Sequence, residues 1–298
     1  MSGRGRTSSA MYPARRQERR RGEAGRLLAL ALVAGSVLAG CGGGGGEVPS
    51  PYQIARHSTL HQILERKKLI VGMEVEFWPF EYDDGHGNPT GFDVDLAREL
   101  ARELGVELEL RDLEWTGLIP SLLEGKIDLI ISGMTATLER ARTIAFSEPY
   151  YHTALCLLVQ RQSPIQSAAE LDRPEVTLAL KTGTTGHFLA EREFPRARKR
   201  FFKDEAACAL EVAQGRAQAF VYDLVSIVRH AREYPESTRA ILEPLGFEPY
   251  AIAFRQGEPD LGRYLDTFVR RLRADGRLKA LERKYLGEIA AGLEPPGH

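Results

Sequence analysis

Along the chain, short apolar runs rich in β-branched residues alternate with stretches whose apolar positions recur every three or four residues. The first kind predicts buried strands and the second predicts amphipathic helices. Leu69–Met73, Val106–Leu110, Ile127–Ile131, Cys156–Gln160, Val176–Leu180, Ala217–Asp223 and Pro249–Phe254 read as strands. Leu96, Leu100 and Leu104 line one face of a helix whose other face carries Arg and Glu. Gly105 ends that helix, and Asp93 is placed to cap its start. Further helices are expected from near His187, from Leu224, from Pro259, and after the Asp275-Gly276 turn. The pattern is that of an α/β chain.

The stretch Ser132-Gly133-Met134-Thr135-Ala136-Thr137-Leu138-Glu139-Arg140 follows the strand 127–131 directly. In open α/β sheets small ligands bind beyond the carboxyl ends of strands, so this loop is a candidate site. Ala141, Ile144, Ala145 and Phe146 have helical spacing, which predicts a helix from near Thr137. Arg140 would then sit in a first helical turn, where the helix dipole disfavours a cation. Two readings stay open: a solvated Arg pairing with Glu139 or Glu148, or a guanidinium gripping a carboxylate through two parallel hydrogen bonds. Lys181-Thr182-Gly183-Thr184-Thr185-Gly186 is a second loop of this kind, able to offer free N–H groups to an anion or simply to turn. Asp223 ends a third strand, where it could cap the next helix or meet a ligand. Arg161-Gln162-Ser163-Pro164 breaks the pattern and suits a crossing into a second lobe.

Residues 1–40 do not read as fold. They hold eight Arg and two Glu, and Leu27–Ala39 is an apolar run of 13 residues, suited to a signal-peptide core and too short to span a bilayer. The full chain has 40 basic and 41 acidic residues; removing the leader's 8 and 2 leaves 32 and 39, a net charge of −7. That balance argues against a nucleic-acid partner. About 240 residues remain between the glycines at 42–46 and a short tail, enough for one large domain or two lobes. Cys156 and Cys208 could pair in an oxidising space or pack as small apolar groups. His57 and His61 are four apart, a spacing that can hold a metal, but no third ligand is near and no metal or cofactor is expected.

Several ordered segments resemble the bacterial extracellular solute-binding proteins of family 3, the periplasmic amino-acid receptors of ABC importers. They are Gly91-Phe92-Asp93-Val94-Asp95-Leu96, Trp115-Thr116-Gly117-Leu118-Ile119-Pro120-Ser121-Leu122, Gly125-Lys126-Ile127-Asp128-Leu129, the 132–140 stretch and Phe146-Ser147-Glu148-Pro149-Tyr150-Tyr151. The resemblance runs from about 69 to 290. It implies an α/β fold of periplasmic-binding-protein type II, with two mixed sheets flanked by helices and two hinge crossovers. The expected first lobe spans 61–158 plus 249–290, the second 159–248, and 291–298 a tail. The resemblance also implies site roles. Arg140 would clamp the α-carboxylate of a free amino acid, with the Thr185 N–H beside it. Thr135 would touch both ends, the Gly133 carbonyl and Asp223 would take the ammonium, and Phe77 and Trp115 would cover the ligand. Lys181 would lie near the ligand's side chain, which together with Gly133 and Thr135 favours glutamine or glutamate. Asp93 and Asp95 would be structural.

Leu38-Ala39-Gly40-Cys41 resembles a lipoprotein cleavage box, implying export, acylation of Cys41 and a lipid anchor with 41–60 as its tether. The expected role is delivery of a polar amino acid to an ABC permease. The rival is an enzyme, since the same fold hosts cyclohexadienyl dehydratases, which remove water from prephenate or arogenate. Such an enzyme needs a general acid of raised pKa, which the sequence alone does not single out, and no catalytic residue is assigned.

Overall fold

The computed structural model describes residues 58–291, with side chains to 287. The leader, Cys41, most of the tether, His57 and the tail beyond 291 lie outside the described residues. His61 faces Glu65, one turn on, at 3.0 Å.

The chain opens with α1 (Thr59–Arg66), β1 (Lys68–Met73) and a small hairpin of β2 (Tyr82–Asp83) and β3 (Pro89–Thr90). Next come α2 (Phe92–Leu104), β4 (Glu107–Asp112), α3 (Trp115–Leu123), β5 (Leu129–Ile130) and β6 (Ile144–Phe146). The middle of the chain holds β7 (Tyr151–Gln160), β8 (Thr177–Lys181), α4 (Thr185–Glu193), β9 (Arg198–Phe202), α5 (Glu205–Ala213), β10 (Ala219–Asp223), α6 (Leu224–Glu233) and β11 (Thr238–Tyr250). The return consists of β12 (Ala253–Arg255), α7 (Pro259–Ala274) and α8 (Arg277–Ala291).

Two five-stranded sheets result, ordered β4-β1-β5-β12-β6 and β11-β7-β10-β8-β9. Each is mixed. In the first, β1 runs parallel to β4 and β5, while β12 is antiparallel to β5 and β6. In the second, β8 runs parallel to β9 and β10, while β7 is antiparallel to β10 and β11. Val71, Leu129 and Ile131 lie in the first lobe's core, and Leu157, Leu178 and Val221 in the second's, all fully buried. The long apolar runs read from the sequence are these central strands, covered on both faces.

The chain passes between the lobes twice, at 147–150 and at 251–252. The two passages are tied to each other. Ser147 N–H donates to the Ile252 carbonyl at 3.0 Å, Ile252 N–H donates to Ser147 Oγ at 3.1 Å, and Tyr150 N–H donates to the Tyr250 carbonyl at 2.8 Å. The crossing therefore precedes Arg161–Pro164, and 151–158 belongs to the second lobe. The reason is pairing: β7 is hydrogen-bonded along its length to β11 and β10, so it is a central strand of the second sheet.

Two local expectations also change. No helix runs through 141–146. A single 3₁₀ turn at Arg140–Arg142 leads into β6, because Ile144, Ala145 and Phe146 pair with β12. Sheet pairing here outweighs the helical spacing. Thr137 still caps the turn, its Oγ1 accepting from Arg140 N–H at 3.1 Å. Asp93 does not cap α2, which starts from Gly91 with no side-chain cap; Asp93 is fully buried and faces inward. Asp95 is structural as expected, accepting from Lys284 Nζ at 2.7 Å and Tyr285 OH at 2.6 Å and so tying α2 to α8. Cys156 and Cys208 are both buried and unpaired.

Candidate functional site

The carboxyl ends of β1, β5, β8 and β10 point at one crevice between the lobes. Glu74 follows β1, Ser132 and Gly133 follow β5, and Lys181 and Asp223 end β8 and β10. A cavity at this place is walled by Phe77, Trp115, Gly133, Thr135 and Arg140 from the first lobe and Thr185 and Asp223 from the second. Seven of the eight residues singled out in the sequence thus share one cavity. Lys181, the eighth, is 2% exposed and ion-paired with Glu74, itself part of the wall. The cavity holds about 20 Å³, roughly the space of one water. Space of that size admits nothing larger than a water while the lobes stand as they do.

The first-lobe wall is tightly determined. Gly133 has φ +51°, and a Cβ there would lie 2.6 Å from the Phe77 ring, so only glycine lets the aromatic approach. Its N–H donates to Asp93 Oδ2 at 2.7 Å, which also accepts from Tyr150 OH at 2.7 Å. Ser132 Oγ accepts from Glu74 N–H at 3.0 Å and donates to Glu81 Oε1 at 2.6 Å. Phe77 stacks on Phe80 at 5.0 Å between centroids and meets Tyr250 edge-on at 6.3 Å.

Arg140 is 8% exposed, and its guanidinium meets only carbonyls: Thr135 O at 3.0 Å and, across the cleft, Gly183 O at 3.2 Å. It also lies 5.2 Å from the centre of a Trp115 ring. Among the described residues no carboxylate stands within ion-pair distance of it. Of the two sequence readings, the solvated pairing with Glu139 or Glu148 is therefore not the arrangement found. Burial lowers the Arg140 pKa, against the opposing pull of Glu248 and Asp223.

Asp223 sits at the N-cap position of α6, yet its side chain makes no cap bond. Its Oδ1 accepts from Tyr250 OH. Burial, then repulsion from Glu248, pushes its pKa up to about 8. At neutral pH that carboxyl is largely protonated, and a cation beside it would drive the proton off.

Sequence reasoning gave no role to three carboxyl groups around this cavity, Glu74, Glu81 and Glu248, and a different one to Asp93. Glu74 receives Trp115 N–H at 3.3 Å as well as Lys181, and burial raises its pKa despite that lysine. Glu81 is fully buried in the wall, its pKa held well above the ordinary range by burial and by Asp93. Asp93 is itself pushed to about 6 by burial. Glu248, from β11, accepts from Thr135 Oγ1 at 2.6 Å, and burial raises its pKa. Glu74 had a usable signal, since it directly follows a predicted strand. Glu248 and Tyr250 had none, because the hinge strand brings them in from far along the chain.

The profile of the bacterial extracellular solute-binding proteins, family 3, matches residues 69–288. The ABC transporter glutamine-binding protein GlnH of Bacillus subtilis is 28% identical over 269 residues, 89% of this chain and 97% of that one. The cyclohexadienyl dehydratase of Pseudomonas aeruginosa is 28% identical over 228 residues, 76% of this chain and 85% of that one. Among solved structures, the arginine-bound form of truncated ArgBP from T. maritima has a TM-score of 0.64 at 38% identity, covering 71% of this chain and 99% of that one.

Proposed function

The chain belongs to the bacterial extracellular solute-binding proteins, family 3, and from that premise we propose that it captures a free polar amino acid between its lobes and delivers it to an ABC permease. One observation carries the reading. A buried guanidinium, Arg140, and a buried carboxyl, Asp223, face one cavity from opposite lobes and form no ion pair with each other. A zwitterion supplies the partner each lacks: its carboxylate for Arg140 and the Thr185 N–H, its ammonium for Asp223 and the Gly133 carbonyl. Phe77 and Trp115 cover it, and Thr135 steadies it. In the dry, closed cleft each of these charged hydrogen bonds strengthens.

At the side-chain end, Lys181 and Glu74 neutralise each other. The ammonium keeps unused donors and the carboxylate unused acceptor positions, which suits the terminal amide of glutamine. Glutamate fits less well, and a cationic side chain would meet the lysine. The leader is read as a signal peptide that ends in acylation of Cys41, so the protein is exported and held at the membrane by a lipid. Mass spectrometry of the mature N-terminus tests this: a diacylated Cys41 is expected, and an unmodified residue there removes the anchor from the proposal.

The main test is a thermal-shift screen of the twenty amino acids on the purified chain. A ligand present at about 100 times its Kd adds about 2.7 kcal/mol of stability. Glutamine is expected to give the largest shift, and Arg140→Ala to abolish it for every amino acid. No shift with any of the twenty would defeat the receptor reading.

A second reading rests on Glu81. A carboxyl buried in a cavity wall, its pKa raised by that burial, is shifted in the direction a general acid needs. Prephenate turnover by the purified chain, lost in Glu81→Gln, would replace the receptor with an exported dehydratase.

A further inference from the structure

The Gly183 carbonyl is an acceptor on which two first-lobe groups converge. Trp115 Nε1–H donates to it at 2.9 Å, and Arg140 Nη2–H donates to it at 3.2 Å. Gly183 lies in the second lobe, in the loop between β8 and α4, with φ +78°. The geometry around it leaves little freedom. A Cβ on Gly183 would already be in van der Waals contact with the Trp115 ring, at 3.5 Å. The loop is also held from behind. Gly183 N–H donates to His187 Nδ1 at 3.0 Å, and Thr184 Oγ1 donates to the Lys181 carbonyl at 2.8 Å. Because Nδ1 accepts, the His187 ring carries its proton on Nε2, which faces Glu191 at 3.2 Å.

We propose that the Gly183 carbonyl is the clasp that closes the cleft, with Trp115 as the first-lobe hook and His187 as the positioning residue that aims the loop. The proposal rests on the amino-acid-capture reading and adds to it a second job for Trp115: its ring covers the ligand, while its N–H fastens the two lobes directly. The bonds to Gly183 exist only when the lobes meet. They therefore favour the closed form over the open one, which is what a closing interaction must do. They also tie recognition to closure, since Arg140 spends one N–H on the clasp and one on the Thr135 carbonyl, and the other three donors remain for a carboxylate. Other direct contacts also cross the cleft: the buried Lys181–Glu74 ion pair and the Thr135 Oγ1–Glu248 bond at 2.6 Å lie inside it, and Lys203 with Glu114 at 3.0 Å and Arg229 over the Trp78 ring at 5.7 Å lie at its rim. Lys203 and Glu114 are exposed, so water competes for that pair; the Trp115 bond is part-buried and is the better fastening.

The experiment reads closure without any amino acid present, so it stands apart from the question of which one is bound. In the full-length chain carrying Cys41→Ser, spin labels at Lys126→Cys on the first lobe and Arg192→Cys on the second report the interlobe distance by pulsed EPR. Trp115→Phe keeps the ring and removes the N–H. It is expected to cut the closed-to-open ratio about five- to tenfold, the effect of one hydrogen bond. His187→Leu removes the acceptor behind Gly183 and is expected to do the same, whereas His187→Asn retains a δ-position acceptor and restores the parent ratio. In the double variant Trp115→Phe/His187→Leu the two effects should not add, because both act through one carbonyl. With L-glutamine as the probe, stopped-flow dissociation should quicken by the same factor in Trp115→Phe, with association unchanged. An unchanged distance distribution in Trp115→Phe overturns the clasp, even if glutamine binding weakens. A closed fraction that falls as expected supports it, even if glutamine proves not to bind and the capture reading fails.

Discussion

Two aspartates begin two helices in this molecule, one in each lobe, and the contrast between them separates scaffold from site. Asp93 opens α2 and Asp223 precedes α6; both read in the sequence as helix caps, and neither caps. Asp93 holds two donors on one oxygen, Gly133 N–H and Tyr150 OH, and its pKa stands at about 6. Asp223 has one side-chain donor, Tyr250 OH, and its pKa stands at about 8. Asp93 is wholly enclosed, while Asp223 borders the cavity. Both donors on Asp93 converge on Oδ2 and hold the Gly133 loop in shape. Asp223 borders open space, and the role proposed for it is to meet an incoming cation.

Replacing each aspartate should split the two roles. Asp223→Ala is expected to weaken amino-acid binding by about 3 kcal/mol, more than a hundredfold in Kd, since it strands a buried ammonium. Calorimetric titration checks this, and its melting temperature should hold or rise. Asp93→Ala should do the reverse. It leaves Gly133 N–H and Tyr150 OH without an acceptor, at about 2–4 kcal/mol of folding stability, read as a drop in denaturation midpoint. If instead Asp93→Ala leaves stability intact, the contrast fails.

The pH dependence sharpens the same distinction. Binding an ammonium at Asp223 lowers its pKa from about 8 and releases a proton. Affinity should therefore rise with pH between about 6 and 8, by at most about tenfold per unit, and level off above. For folding the sign is opposite. The folded pKa lies above the unfolded one, so the stability tied to the Asp223 proton is complete at low pH and is lost as pH rises toward 8. Asp223→Asn should flatten both curves, and unchanged slopes in that variant would mean another group is titrating. The smallest expected effect concerns the second-lobe loop. Thr184→Val removes the N-cap of α4, whose Oγ1 accepts from His187 N–H at 3.3 Å. The cost should be about 1 kcal/mol in stability, measured by urea unfolding, with a modest loss of affinity.

Much of this was legible in the chain itself. Strand cores such as Ile127–Ile131 announce themselves by composition, and the residues at or just past their ends, Gly133, Thr135 and Asp223, border one cavity because strand ends converge, with Lys181 held behind Glu74. What escaped was set by pairing between distant segments. Ile144–Phe146 has helical spacing but is taken into the sheet by β12, a partner more than a hundred residues away in the chain. The second lobe was expected to start too late because Arg161–Pro164 looks like a boundary, whereas the boundary at Ser147–Tyr150 is made by hydrogen bonds to the returning strand. Glu248 and Tyr250 reach the site by that same return.

The two unpaired thiols have a practical consequence. Cys156 is sealed inside β7 and Cys208 inside α5, both fully buried, and burial pushes the Cys156 pKa to about 12 and that of Cys208 higher still. Neither can meet an alkylating reagent until the second half of the molecule comes apart. Tracking the mass of the two cysteine peptides against time in iodoacetamide would thus serve as an internal stopwatch for that half alone, with its readings slowed by any compound that keeps the halves together.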